Sequence, residues 1–141
     1  MTFLDAYALV ALVADEPAAG EVETILRGGE ARVVIVNLAE AVDIRRVHGL
    51  RADEIRRAIE PLLLGDALSA AVSDEPHAWL AAELRAKHKR TSALSMADCF
   101  LLAHALTDSG AIATSDPAIA AVARAEGIDL VPLPDSSGSR P

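Results

Sequence analysis

The chain has 141 residues, 52% of them hydrophobic and only 3% aromatic, with a formal net charge of −8. That length and apolar content describe one globular domain, not a disordered or fibrous chain, and a lone cysteine, Cys99, excludes a disulfide framework and a thiolate zinc site. Asp5 interrupts the first apolar run, no basic start precedes it, and no uncharged run nears the ~20 residues of a membrane span; neither signal peptide nor anchor is expected, and the cytoplasm is the expected compartment.

Thr2 to Leu4 reads as a short strand and Ala6 to Ala14 as a helix, broken at Glu16-Pro17. A second helix fits Ala18 to Arg27, stopped by Gly28-Gly29. Val33 to Val36 is β-branched and uncharged, which suits a strand buried on both faces. Leu38 to His48 and Arg51 to Leu64 read as helices separated by Gly49, with Gly65 closing the second. Leu68 to Val72 is a weak strand, and Asp74 to Lys89 a helix capped by Ser73 or Asp74. Ser95 to Thr107 is apolar nearly all round, hence a buried helix. Ala111 to Thr114 is a strand, Pro117 to Glu126 a helix with proline in its first turn, and Ile128 to Val131 a last strand. The domain therefore spans 1–131, and 132–141, rich in Pro, Ser and Gly, is expected to be a disordered tail. Strands alternating with helices give the expected fold class: α/β, a single three-layer domain with a short parallel sheet flanked by helices.

Three aspartates each stand alone in a long uncharged stretch: Asp5 between Met1 and Ala14, Asp98 between Thr91 and Thr107, Asp116 between Ser109 and Ala123. Burying a carboxylate costs several kcal/mol unless it is paired or bound to a metal, and no Lys or Arg lies near any of the three in sequence. In parallel sheets ligands bind at the carboxyl ends of the strands. Asp5 follows the first strand directly, Asp116 follows the Ala111–Thr114 strand by two residues, and Glu40 follows the Val33–Val36 strand by four, in the first turn of the next helix. Asp98 lies near the start of the buried helix, behind Ser95 as the better cap; position alone does not say which strand end it approaches. Helix capping explains Glu40, Asp98 or Asp116 taken singly as well as a ligand role does. Glu40 on the face of Ile44 and Val47, and Asp98 ahead of Leu101 and Leu102, strain that explanation, because both faces look toward a core. Four carboxylates brought together repel one another unless a cation neutralises them. Oxygen-only donors suit Mg2+ or Mn2+, and the chemistry such ions serve best here is phosphodiester hydrolysis.

The blocks Phe3-Leu4-Asp5-Ala6-Tyr7-Ala8-Leu9 through Asp15-Glu16-Pro17, Asn37-Leu38-Ala39-Glu40, Ser95-Met96-Ala97-Asp98 and Thr114-Ser115-Asp116 resemble, in order and spacing, the motifs of PIN domains. More narrowly, the chain resembles VapC toxins of type II toxin–antitoxin systems over all but the tail. The resemblance implies a PIN-like sheet with the four acids at its C-terminal edge and Mg2+- or Mn2+-dependent endoribonuclease activity. It also implies inhibition by a VapB-type antitoxin and a homodimer. Thr114 or Ser115 resembles the hydroxyl that supports the fourth acid, although either serves equally well as a turn residue. A non-catalytic PIN-like binding module is the other reading. A phosphoacceptor domain needs a lysine after a late strand, whereas Lys87 and Lys89 lie within a helix; a haloacid-type phosphatase needs an aspartate where Tyr7 stands.

The net charge argues against nucleic acid, but two divalent ions in the acidic site would halve it. Arg45, Arg46, Arg51, Arg56 and Arg57 form one basic cluster, and Arg85, Lys87, Lys89 and Arg90 another; solvated helix faces account for both. His48, His77, His88 and His104 share no ligand spacing, and His104 and Cys99 read as core residues. Trp79 suits a core or an interface equally, and the apolar faces of the first two helices are expected to pack on their own sheet.

Overall fold

In a computed structural model, which describes residues 1–47, 49, 51–89 and 93–141, five strands alternate with seven helices. In chain order these are β1 (Thr2–Leu4), α1 (Ala6–Ala14), α2 (Ala19–Arg27), β2 (Ala31–Val34), α3 (Ile35–Val47), α4 (Ala52–Leu64), β3 (Leu68–Ala71), α5 (Glu75–His88), α6 (Met96–Asp108), β4 (Ala111–Thr114), α7 (Pro117–Glu126) and β5 (Leu130–Pro132). His48 and Arg90, noted in the sequence, lie outside the described residues.

The strands form one parallel sheet in the order β3-β2-β1-β4-β5, with Leu4 opposite Val33 on one side and Ala113 on the other. Side chains alternate across it, as the pleat requires. Leu4, Val33 and Ala113 enter a core with Leu9, Val22, Ile55 and Leu68, while Phe3, Val34 and Ile112 enter a second core with Leu84, Leu101, Leu102 and Val122. The three layers are thus α1 to α4, the sheet, and α5 to α7, which is the expected α/β architecture. Helix α6 buries Cys99, Leu101, Leu102, Ala103, His104 and Ala105, in keeping with its nearly unbroken apolar sequence.

Most boundaries shift by a residue or two from the sequence reading, and two of the differences matter for the site and the C-terminal end. Strand β2 runs from Ala31 to Val34, and Ile35 and Val36 open α3. The cause is register: β1 ends opposite Val33 and β3 opposite Val34, so no neighbouring backbone remains to hold Ile35 extended. Their β propensity gives way to tertiary context. Glu40 consequently lies in the second turn of α3, not the first. At the other end, Pro132 closes β5, Leu133 is buried with its N–H donating to Thr114 O at 2.8 Å, and Arg140 pairs with Glu21 at 2.7 Å. The boundary expected at 131 therefore falls within a strand, and the tail packs further along the domain than its composition suggests. No helix among the described residues is long and apolar enough to cross a membrane.

Candidate active site

Each of the three aspartates sits at a helix N-terminus immediately beyond the sheet edge. Asp5 follows β1 and caps α1, its Oδ1 accepting from Ala8 N at 2.6 Å. Asp116 follows β4 and caps α7, its Oδ1 accepting from Ala118 N at 2.6 Å. Asp98 is the third residue of α6 in a reciprocal capping box: Ser95 Oγ accepts from Asp98 N at 3.1 Å and Asp98 Oδ2 accepts from Ser95 N at 2.7 Å. The capping and site readings are thus both realised in the same residues, as helix N-termini favour carboxylates on either account.

Thr114, the last residue of β4, is buried and bridges two of these acids. Its hydroxyl donates to Asp5 Oδ2 and accepts from Asp116 N at 2.9 Å. The supporting hydroxyl is Thr114; Ser115 is also buried and lines the cavity described next.

Asp5, Glu40, Asp98 and Asp116 line a single cavity of about 180 Å³ together with Tyr7, Ile44, Ser115 and Ile119. All four sequence candidates therefore meet. Ile44 accompanies Glu40 as the helical spacing implies, whereas Val47 is 77% exposed and lies off that face. No lysine or arginine lines the cavity among the described residues, which leaves a phosphoacceptor site without its basic partner.

Burial pushes the Asp5 carboxyl up to about 7, against the hydrogen bonds from Thr114 and Ala8, and the charges of Asp98 and Asp116 push the same way as burial. Glu40 is raised by burial and then by the Asp98 charge; Asp98 is raised by burial, with Asp116 adding to it. No cationic side chain among the described residues lines the cavity to offset these charges. Four oxygen donors of uniform hard character fit a divalent ion. Among the described residues, however, no three His, Cys, Asp or Glu side chains already converge on one point. Asp5, Asp98 and Asp116 each turn an oxygen onto a backbone amide at a helix start, and Asp5 also accepts from the Thr114 hydroxyl. The bonds from Ser95 N and Ala118 N go to Asp98 Oδ2 and Asp116 Oδ1, and the other oxygen of each carboxylate has no hydrogen-bond partner among the described residues. The donor set fits a hard cation, which side-chain rotation within the cavity would bring into reach.

One residue quoted in the sequence motifs received no role there. Asn37 is fully buried on α3, and neither its Oδ1 nor its Nδ2 finds a hydrogen-bond partner among the described residues. An unsatisfied buried polar group costs about 1–3 kcal/mol. The only sequence signal is an amide within the apolar run from Val33 to Leu38.

The remaining singled-out residues take ordinary places. His104 is a buried core residue, with Nε2 3.0 Å from Ser73 Oγ and its ring stacked on His77 at a centroid distance of 3.8 Å. Cys99 is buried. Trp79 is 66% exposed, its Nε1 donating to Glu75. Arg51, Arg56 and Arg57 pair with Asp53 and Glu60 on an exposed face of α4, as a solvated helix does, and Lys87 and His88 pair with Glu126. A larger cavity, about 430 Å³, lies between α3 and α4; its walls are Leu38, Val42, Ala52, Ile59 and Leu63, with the Arg56–Glu60 pair at its polar side. Its walls are mostly apolar and bring no cluster of acids or nucleophiles together.

The family model described as PIN domain matches residues 2–125. Among solved structures, the chain is similar to VapC20 from Mycobacterium tuberculosis, described as a Sarcin-Ricin loop cleaving toxin. Identity is 14%, coverage 86% of this chain and 94% of that one, and the TM-score 0.72. It is similar also to FitAcB from Neisseria gonorrhoeae, at 22% identity over 92% of this chain and 96% of that one, TM-score 0.64. A third is VapBC2 from Rickettsia felis, bound to a DNA fragment from its promoter, at 13% identity over 92% and 96%, TM-score 0.69. At these identities the likeness is one of fold. No curated protein sequence matches the chain.

Proposed function

The chain belongs to the PIN domain family, and from that premise we propose that it is a metal-dependent endoribonuclease, the toxin of a VapBC-type toxin–antitoxin pair. One observation carries the reading: four carboxylates share a cavity at the carboxyl edge of a parallel sheet with no basic side chain lining it among the described residues. Asp5, Glu40, Asp98 and Asp116 would hold Mg2+, or Mn2+ in its place. Such an ion supplies Lewis acidity, acidifying water and neutralising charge that builds on a phosphodiester.

The protein's own part is preorganisation. Thr114 ties Asp5 to the start of α7, so the spacing of Asp5 and Asp116 is fixed by one hydroxyl. The Ser95 box holds Asp98 against the first turn of α6 through Oδ2, so that Oδ1 is not used by the cap. Glu40 comes from α3, the one element that brings an acid to the cavity from within a helix rather than from its end. Ile44 and Ile119 make part of the wall apolar, which limits water around the carboxylates and strengthens their attraction for a cation.

The partner would be a VapB-type antitoxin. Relatives of this fold include a toxin-antitoxin complex from Klebsiella pneumoniae, and the apolar cavity along α3 and α4 supplies surface for an apolar segment. A basic residue of that segment directed at Asp5 and Asp98 would compete with the ion and with RNA together. With RNA as substrate, the cytoplasm is the compartment and the homodimer the working form. The turning of the acids onto helix amides favours one rival, a PIN-like module that binds without cleaving.

The two part on one experiment. The purified chain is incubated with total bacterial RNA and Mg2+ or Mn2+, and its thermal unfolding is followed in parallel. Ion-dependent cleavage that is lost in Asp98→Asn supports the nuclease. A folded protein that leaves RNA intact and shows no response of its melting temperature to Mn2+ overturns it.

A further inference from the structure

We propose that Asn37 is a positioning residue of the acidic cavity: its buried side-chain amide, one helical turn ahead of Glu40, holds the Glu40 carboxylate in the orientation that a cation there requires. The inference rests on the reading of the cavity as a divalent-cation site.

Asn37 is fully buried, and every other residue from Val33 to Leu38 is hydrophobic. Buried amides are almost always hydrogen-bonded, yet both polar atoms of this one lack partners among the described residues. An apolar side chain of similar size would serve packing better at this position. The amide is therefore poorly accounted for by the fold, and the nearby site gives it a use. Residues three apart share a helix face, and the Asn37 side chain lies close enough to Glu40 to favour its ionised form, as Ser95 does from the start of α6.

An amide N–H has the right chemical character for this task. A lysine or arginine would neutralise Glu40 and take the ion's place. A neutral donor fixes one carboxylate oxygen and leaves the negative charge for the cation, which is how outer hydrogen bonds orient metal ligands. The two side chains approach without forming a full hydrogen bond, and a small turn of the carboxylate would complete it.

The test compares Asn37→Thr with Asn37→Val, two side chains of the same shape that differ in one hydroxyl. Mn2+ affinity is measured by calorimetry on the full chain, with Glu40→Gln alongside, and each variant's melting temperature is recorded without metal. If the donor matters, Asn37→Thr binds Mn2+ within about threefold of the parent and Asn37→Val at least about tenfold more weakly, while the metal-free melting temperature of the Val variant equals or exceeds that of the Thr variant. Equal affinities in the two variants overturn the proposal, as does a loss of metal-free stability in Asn37→Val that accounts for its weaker binding. If the parent binds no Mn2+, the cation site itself fails and this inference falls with it. If the parent binds and Glu40→Gln binds equally, the cation site stands and only the Glu40–Asn37 arrangement fails. Should Asn37→Val not fold, Asn37→Ser against Asn37→Ala puts the same question with smaller side chains, read by the same difference in affinity.

Discussion

Thr114 serves two partners with a single hydroxyl, donating to Asp5 and accepting from the Asp116 backbone. Thr114→Val keeps the shape and removes both bonds inside a buried site, so it is expected to cost about 1–3 kcal/mol in urea unfolding and to weaken Mn2+ binding as well. A stability loss with unchanged metal affinity would confine Thr114 to a structural part. His104 gives the pH behaviour. Burial lowers its pKa below the ordinary 6.5, and the stacked His77 and the nearby Arg32 add to this, against Asp108 and Asp74. Below that pH the unfolded chain binds a proton that native His104 resists, so stability contributed by the neutral ring is present above it and lost on acidification. The urea-midpoint advantage of the parent over His104→Gln should accordingly narrow as pH falls from about 7.5 to about 5.5; a constant gap would show that the ring titrates alike in both states. At this scale the aspartates were legible because isolated charges in apolar stretches are conspicuous in any sequence. Asn37 was not, since a neutral amide becomes anomalous only once its burial and missing partners are seen.

Gly110, at the turn from α6 into β4, shows how tightly the elements abut. A Cβ there would stand 2.8 Å from Phe3 Cε2 and 2.9 Å from Cδ2, and that ring is fully buried against the second core. Gly110→Ala should therefore destabilise by about 1–3 kcal/mol through overpacking, read as a lowered thermal midpoint. It should also disturb β1 and β4, the two strands that deliver Asp5 and Asp116; an unchanged midpoint would mean that Phe3 has room to move. Helix and strand boundaries were largely readable from glycine stops, caps and Pro117. The exception, β2 and α3, is instructive: Val33 to Val36 is one β-branched run, but its strand stops where the neighbouring strands stop. Sequence carries propensity, while the end of a central strand is set by partners far along the chain. Glu40 moved by a turn for that reason and still reached the cavity.

For the molecule as a whole, the fold class was legible from alternation alone, whereas the layer assignment and the meeting of Asp98 with the other acids needed tertiary packing. A cation held in the acidic cavity would tie stability to metal. If the ion binds the native state only, Mn2+ at a hundred times its Kd should add about 2.7 kcal/mol, and Asp98→Asn should lose most of that gain while remaining folded. A midpoint that ignores Mn2+ in the parent would remove the shared cation from the account. The strand order has a further consequence, one of timing. Asp5 leaves the central strand, but the hydroxyl that clamps it lies 109 positions later on Thr114, and Asp116 follows still later. At 5–20 residues per second, a ribosome needs roughly 5 to 20 seconds to pass from one to the other. During that interval the growing chain lacks Thr114 and Asp116, so a product ending before β4 would carry an incomplete acid set. On the nuclease proposal, activity would therefore await nearly the last strand of the chain.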